Sequence, residues 1–315
     1  MPHGAQALVR IKAFGLNRMD LLQREGRYPV PAQAPKTMGV EFSGVIVSLA
    51  VERDAVDQPE RSFAVGDEVF GLAYGGAYAE YIAVSTHMLV HKPTELSWEE
   101  AAGIPETWIT ALQAMYLVGQ FKEGDSILWH AGASSVSISG IQLAVAGKAS
   151  AVYVTASSRE KIDFCKSLGA TDGFSYKENG GNWADPLLNA TRGKGVDIIV
   201  DFVGASYFDQ NLQAVARDGR IVNLAFLGGT KLEAGIDIGR FVTKRVRYEG
   251  SGLRSRDEAY QGRLRDMLVE HALPRFIDGQ FKVVVEKAFK MEEIQMAHAL
   301  LESNQTKGKI ICTVD

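Results

Sequence analysis

Residues Ser126 to Lys161 constrain this chain more than any other stretch. Ser126-Ile127-Leu128-Trp129-His130 is a short apolar run, and Ala131-Gly132-Ala133-Ser134-Ser135 is a turn built only of small residues. Apolar residues then recur at helical spacing from Ile138 to Ala146, and Ala151-Val152-Tyr153-Val154-Thr155 is a second β-rich run. A small-residue turn that opens a helix after a buried strand collects free backbone N–H groups and the positive helix end at one place, which suits a pyrophosphate. The second run ends in Ser157-Ser158-Arg159, without the acid that would hold a ribose 2′-hydroxyl. Hydroxyls and positive charge there suit a 2′-phosphate, so the tip reads as an NADP(H) site. The turn alone is a weak signal, with one glycine where the usual fingerprint has three. The lengths of the flanking strands and helix, and the chemistry of the tip, carry the reading.

Around this unit the chain changes character twice. Before about residue 95 it is strands and glycine-bounded loops: Leu8-Val9-Arg10-Ile11-Lys12-Ala13 alternates, Gly44-Val45-Ile46-Val47 follows a glycine turn, and Gly66-Asp67-Glu68-Val69-Phe70 is a turn feeding a strand. Asp54 to Arg61 is polar and reads as a surface loop. Ser97-Trp98-Glu99-Glu100 is an N-cap with acids in the first turn, opening a helix interrupted near Pro105. From Ser126 strands and helices alternate, with strands at Val196–Val203, Gly219–Phe226 and Val246–Gly250, the mark of a parallel sheet. Beyond Pro274 come a strand (Phe281–Val285), a helix (Met291–Ser303) and a last strand (Ile310–Val314). The expected fold class is α/β, a doubly wound parallel sheet inserted in a β-rich domain made by the front and the tail.

Composition excludes several function classes. The 315 residues allow two domains with full cores. A formal charge of −4 and no basic stripe argue against nucleic acid as a partner and against attraction to an anionic membrane. No apolar run is long enough to span a bilayer, and no signal peptide is evident. Cys165 and Cys312 stand far apart without metal-ligand spacing, so a cytoplasmic protein with two small buried thiols is the simplest reading. The six histidines do not cluster and no Ser-His-Asp spacing is present, which argues against a hydrolase.

A series of short motifs, in order along almost the whole chain, resembles the zinc-free quinone oxidoreductases of the medium-chain dehydrogenase/reductase superfamily, the zeta-crystallin-like branch. The front carries Gly15-Leu16-Asn17-Arg18-Met19-Asp20, Gly26-Arg27-Tyr28-Pro29, Met38-Gly39-Val40-Glu41-Phe42-Ser43-Gly44 and Gly76-Ala77-Tyr78-Ala79-Glu80-Tyr81. The middle carries Pro105-Glu106-Thr107-Trp108-Ile109-Thr110-Ala111 and Asp201-Phe202-Val203-Gly204, and the tail Lys307-Gly308-Lys309-Ile310. Leu253-Arg254-Ser255-Arg256-Asp257 looks closest to the stress-induced quinone reductases of that branch. The resemblance implies a Rossmann NADP(H)-binding domain over residues 105–255, inserted in a GroES-like catalytic domain over 1–104 and 256–315. It also implies that the front is short by an opening strand pair, and a homodimer is the expected assembly.

The same resemblance assigns roles. Zinc alcohol dehydrogenases of the superfamily place Cys where Asn17 sits and His where Val40 sits, leaving Glu106 as the carboxylate at the third position, so no metal is expected. Asn17 and Tyr28 match the catalytic polar residues where cofactor and quinone meet. Ser134, Ser135 and Val136 match the pyrophosphate turn; Ser157, Lys161 and Tyr176 the surroundings of the 2′-phosphate; Thr110, Val203, Phe226 and Leu227 the nicotinamide walls; and Lys309 the cofactor channel. The family usually has Gly where Ser135 and Ser137 stand, and a serine hydroxyl there is able to donate to a phosphate. Blander readings compete: Lys161 as a solvated helix lysine, Tyr28 as a loop tyrosine, and Arg245, Arg247, Arg254 and Arg256 as mostly solvated basic surface. Val203 and Phe226 are expected to be buried in either case. The implied activity is NADPH-dependent, metal-independent reduction of a quinone. The alternatives are NADPH-dependent reduction of an enone or enoyl C=C bond, and an NADPH-binding structural or regulatory protein with little turnover.

Overall fold

Strand β1 (Gln6–Gly15) shows the rule by which the front of the chain folds: Ala7, Val9, Ile11 and Ala13 are fully buried while the residues between them are more open. The computed structural model describes residues 6–50, 62–232 and 234–315; the loop expected over Asp54–Arg61 and the expected short start lie outside the described residues. The chain forms two compact units, Met1–Ile109 with Leu253–Asp315, and Thr110–Gly252.

In the first unit β1 leads to helix α1 (Arg18–Arg24) and strands β2 (Glu41–Leu49), β3 (Glu68–Leu72), β4 (Tyr81–Ser85) and β5 (Leu89–His91). Helix α2 (Trp98–Ala102) starts as expected: Ser97 Oγ accepts from Glu100 N at 3.1 Å, and Glu100 Oε2 accepts from Ser97 N at 2.9 Å. It stops before Pro105, which opens α3 (Pro105–Leu112).

The second unit alternates strand and helix: β6 (Ser126–Trp129), α4 (Ser135–Ala146), β7 (Ala151–Ala156), α5 (Arg159–Ser167), β8 (Asp172–Ser175), α6 (Ala184–Ala190), β9 (Val196–Asp201), α7 (Phe208–Ala214), β10 (Val215–Asn223), α8 (Arg240–Lys244) and β11 (Arg247–Gly250). The chain then returns to the first unit as α9 (Glu258–His271), α10 (Leu273–Ile277), β12 (Val285–Lys290), α11 (Ile294–Glu302) and β13 (Lys309–Thr313).

Among the described residues the first unit holds a seven-stranded sheet of order β12-β13-β1-β2-β3-β5, with β4 also paired to β1. The second holds six parallel strands in the order β11-β10-β9-β6-β7-β8. That order reverses between β6 and β9, which is the topological switch point of a doubly wound sheet. The architecture is a Rossmann domain and a GroES-like β domain, as expected.

Two expectations need correction. The strand expected at Phe281–Val285 begins only at Val285, because Phe281 packs on Trp108 at 4.8 Å between ring centroids. Arg254, expected with the solvated arginines, is only 6% exposed. The two cysteines are buried and free, as expected. Among the described residues, no helix is long and apolar enough to cross a membrane.

Candidate functional site

In the second unit the turn after β6 and the first turn of α4 form an anion cradle. Ser134 caps α4 by accepting from Ser137 N, which leaves the N–H groups of Ser135 and Val136 without an intrahelical acceptor. Gly132 is required by close packing: a Cβ there would stand 2.6 Å from Val154 Cβ. Gly140, in the second turn of α4, packs against Trp129, where a Cβ would come within 2.2 Å of the indole. Together these glycines seat α4 directly on β6 and β7, so its N-terminus lies at the carboxyl edge of the sheet.

Ser137 departs from the expected phosphate role. Its hydroxyl donates to His130 O at 2.7 Å and is fully buried, so it ties the turn to β6 and does not face a ligand. Ser135 stays partly open.

A buried polar network that was not legible in the sequence stiffens this edge. Asp201 Oδ1 accepts from Val203 N (2.7 Å) and Gly204 N (3.1 Å), while its Oδ2 accepts from Asn211 Nδ2 (3.0 Å) and Asn223 Nδ2 (3.3 Å). Asn211 Oδ1 in turn accepts from His130 Nε2 at 2.7 Å, and Thr155 Oγ1 lies 2.9 Å from His130 Nδ1. That tautomer is neutral, and burial lowers the His130 pKa in agreement with it. The network joins the ends of β6, β7, β9 and β10, the strands around the switch point.

Apart from Thr110 in α3, the remaining residues expected around a cofactor in this unit follow the strand ends of that edge or open the helix after one. Ser157 and Ser158 follow β7, where Ser158 caps α5 and accepts from Lys161 N at 3.3 Å. Tyr176 is 37% exposed, its ring set edge-on to Tyr207. Thr110 Oγ1 is buried without a hydrogen-bond partner. Phe226 and Val203 correct the expectation of burial: Phe226 is 52% exposed, beside Leu227 at 55%, and Val203 is only half-buried. The cause is local: Leu227 N and Gly228 N bond back to Phe202 O and Val203 O, holding Phe226 on a surface loop over Gly204. A helix N-terminus, an acid-free strand end and exposed apolar side chains after β10, all following strands of one sheet edge, fit a dinucleotide.

In the first unit the expected Asn17 and Lys309 are brought together with Glu41. Asn17 precedes α1, Glu41 opens β2 and Lys309 opens β13. Asn17 Nδ2 donates to Glu41 Oε1 (2.8 Å), and Lys309 Nζ donates to Asn17 Oδ1 (2.9 Å), to Leu16 O (3.0 Å) and to Glu41 Oε1. Glu41 Oε2 accepts from Glu106 N at 2.8 Å, which fixes the start of α3. Gly15 permits this arrangement, because a Cβ there would stand 2.4 Å from Glu41 Oε1. Lys309 thus stands beside Asn17 with its charge neutralised, 3% exposed.

Zinc does not fit these positions. Val40 offers no donor atom, the Asn17 amide is bonded on both sides, and the one carboxylate left, Glu106, does not make a zinc site alone.

Two more acids complete the group. Asp20 is sealed: its Oδ2 accepts from Asn17 N (2.8 Å) and Tyr78 Oη (3.2 Å), and burial pushes its pKa up to about 6. Glu106 is pushed up to about 8, first by burial and then by the Glu41 charge, against the opposing pull of Lys309 and Arg254. Tyr28, on the loop after α1, lies under the Arg254 guanidinium at 5.4 Å. Arg254 is anchored by Tyr74 O (2.6 Å) and Gln23 Oε1 (2.7 Å). Burial and Glu106 raise the Tyr28 hydroxyl, and Arg254 opposes them. Sequence reading named Asn17, Tyr28 and Lys309 but gave no role to Glu41, Asp20 or Arg254.

Comparison with known proteins agrees with both units. The alcohol dehydrogenase GroES-like domain family matches residues 3–94, and the zinc-binding dehydrogenase family matches residues 135–270. A zinc-type alcohol dehydrogenase-like protein of Schizosaccharomyces pombe is 29% identical over 98% of this chain and 91% of its own. A quinone oxidoreductase-like protein of Bos taurus is 26% identical over 99% of this chain and 86% of its own. The solved quinone oxidoreductase of Pseudomonas syringae superposes with a TM-score of 0.84 at 28% identity, covering 100% of this chain and 93% of that one. An NAD-dependent alcohol dehydrogenase gives a TM-score of 0.83 at 28% identity with the same coverage. A mycobacterial protein complexed with NADPH gives 0.85 at 26%, again covering 100% and 93%.

Proposed function

We propose, from a chain that belongs to the quinone oxidoreductase-like medium-chain dehydrogenases/reductases, that it is an NADPH-dependent, metal-independent quinone reductase. Oxidoreductase activity on a nicotinamide cofactor follows from the family; the acceptor and the preference for NADPH are our reading. The observation that supports it is Asn17, whose amide is bonded on both sides by Glu41 and Lys309 at one position where zinc relatives carry a ligand, with Val40 offering no donor atom at another. A quinone takes negative charge across its own conjugated ring and requires no zinc ion.

The cofactor, when bound, supplies the hydride. This chain's residues bind and orient: Ser135 and Val136 N–H hold the pyrophosphate, Ser157 and Lys161 the 2′-phosphate, Thr110 and Phe226 the ring. Tyr28, steadied by Arg254, offers the acceptor an aromatic wall with a polar tip. The Leu253–Asp257 string supports a place in the stress-induced branch. A cytoplasmic homodimer without membrane or nucleic-acid partners completes the reading.

The test is steady-state oxidation of NADPH and NADH with 1,2- and 1,4-quinones beside enones. Turnover of quinones with NADPH preferred is expected. Turnover of enones alone would make it a C=C reductase, and tight NADPH binding without turnover would make it a binding protein.

A further inference from the structure

Three acids meet in the first unit, and they differ in what their oxygens do. Glu41 accepts from Asn17, Lys309 and Glu106 N. Asp20 is fully buried behind Tyr78 and Asn17 N. Among the described residues the Glu106 carboxyl has no hydrogen-bond partner, although its own N–H is bonded, and the residue is half-buried, not sealed. It is therefore the one acid of the three whose carboxyl is free to meet a ligand. Its position is stiff, held by Glu41 and by the packing of Trp108 on Phe276 at 4.6 Å.

We propose that Glu106 is the acid that protonates the reduced acceptor, with Arg254 positioning Tyr28 beside it. This rests on the quinone reading above. A quinone that has gained a hydride is a hydroquinone monoanion. The Glu106 O–H bond breaks, a new O–H bond forms on the phenolate oxygen, and solvent water reprotonates the carboxylate left behind. No further oxidant or reductant is needed. A phenol titrates near 10, above an acid pushed up to about 8, so the transfer runs downhill. An ordinary carboxyl would be ionised at neutral pH and have no proton to give. The charged and titratable groups around Glu106 are Glu41 from β2, Asp20 from α1, Lys309 from β13, Arg254 from the segment before α9, and Tyr28.

The test compares the full-length protein with Glu106→Gln and Glu106→Asp, in turnover and without it. Infrared spectra of the cofactor-free protein should show a carboxylic-acid carbonyl band that fades as pH rises through about 8 and is missing from Glu106→Gln. With NADPH and a quinone, Glu106→Gln should lose about 10²–10⁴-fold in kcat. Its KM values should stay within about twofold, and the fall of kcat above neutral pH should vanish. Glu106→Asp, with a shorter acid, should restore part of kcat. Glu106→Gln with the wild-type kcat and pH profile would overturn the acid role while leaving the quinone reading standing. An absent carbonyl band would overturn it independently of turnover. A wild-type protein that turns over no quinone would remove the quinone reading and the acid role together.

Discussion

Replacing Lys309 with Met tests the buried network directly. The ammonium makes three contacts, to Leu16 O, Asn17 Oδ1 and Glu41 Oε1, in a place where Lys309 is 3% exposed and Glu41 fully buried. Met keeps most of the stem and removes the charge, so packing changes little. Glu41 then keeps only the amide of Asn17 and the N–H of Glu106. Removing one partner of a buried pair costs about 3–5 kcal/mol, because the other charge remains. For a unit of 150–250 residues each kcal/mol moves Tm by about 2–4 °C, which gives a drop of roughly 6–20 °C. Thermal melting by circular dichroism, with urea unfolding as a second measure, reads it. Adding Glu41→Gln removes the stranded charge, so the double variant should recover part of the loss, with a coupling of about 1–3 kcal/mol. A Lys309→Met melting point within about 2 °C of wild type, or a double variant losing as much as the two singles together, would refute the reasoning.

Three further outcomes follow from the same geometry. Glu106 is pushed up to about 8 in the fold, so the native state holds a proton that the unfolded chain has released. Stability should fall as pH rises from about 4.5 to about 8, and Glu106→Gln should flatten that slope in urea titrations at successive pH values. Gly140→Ala should cost about 1–3 kcal/mol by overpacking, since its Cβ would press into the Trp129 ring; an unchanged urea midpoint would contradict it. Lys161→Ala should weaken NADPH by about 10–100-fold and NADH much less, as the loss of a charged contact of about 1.5–3 kcal/mol implies. Fluorescence titration with both cofactors checks it, and equal losses would sink the 2′-phosphate assignment.

What the sequence determined by itself was whatever depends on neighbours along the chain. The small-residue turn, the Ser134 cap and the helix after it are all settled within a dozen residues, because capping and helical periodicity are local. The same holds for Ser97 with Glu100, and for the acid-free end of β7. Only the tertiary structure decided the pairing of Glu41 with Lys309, 268 positions apart, or the burial of Arg254 against Tyr74 and Gln23. A lysine or arginine in sequence looks like a solvated charge, and nothing nearby says which carboxylate or carbonyl will be folded onto it. The exposure of Phe226 has the same origin, since backbone bonds to Phe202 and Val203 hold an apolar ring where hydrophobicity alone would have buried it. Glu106 is the sharpest case. Its place at the start of α3 is local, but whether it keeps a proton depends on charges contributed by β2, β13, α1 and the segment before α9, and only folding brings those together.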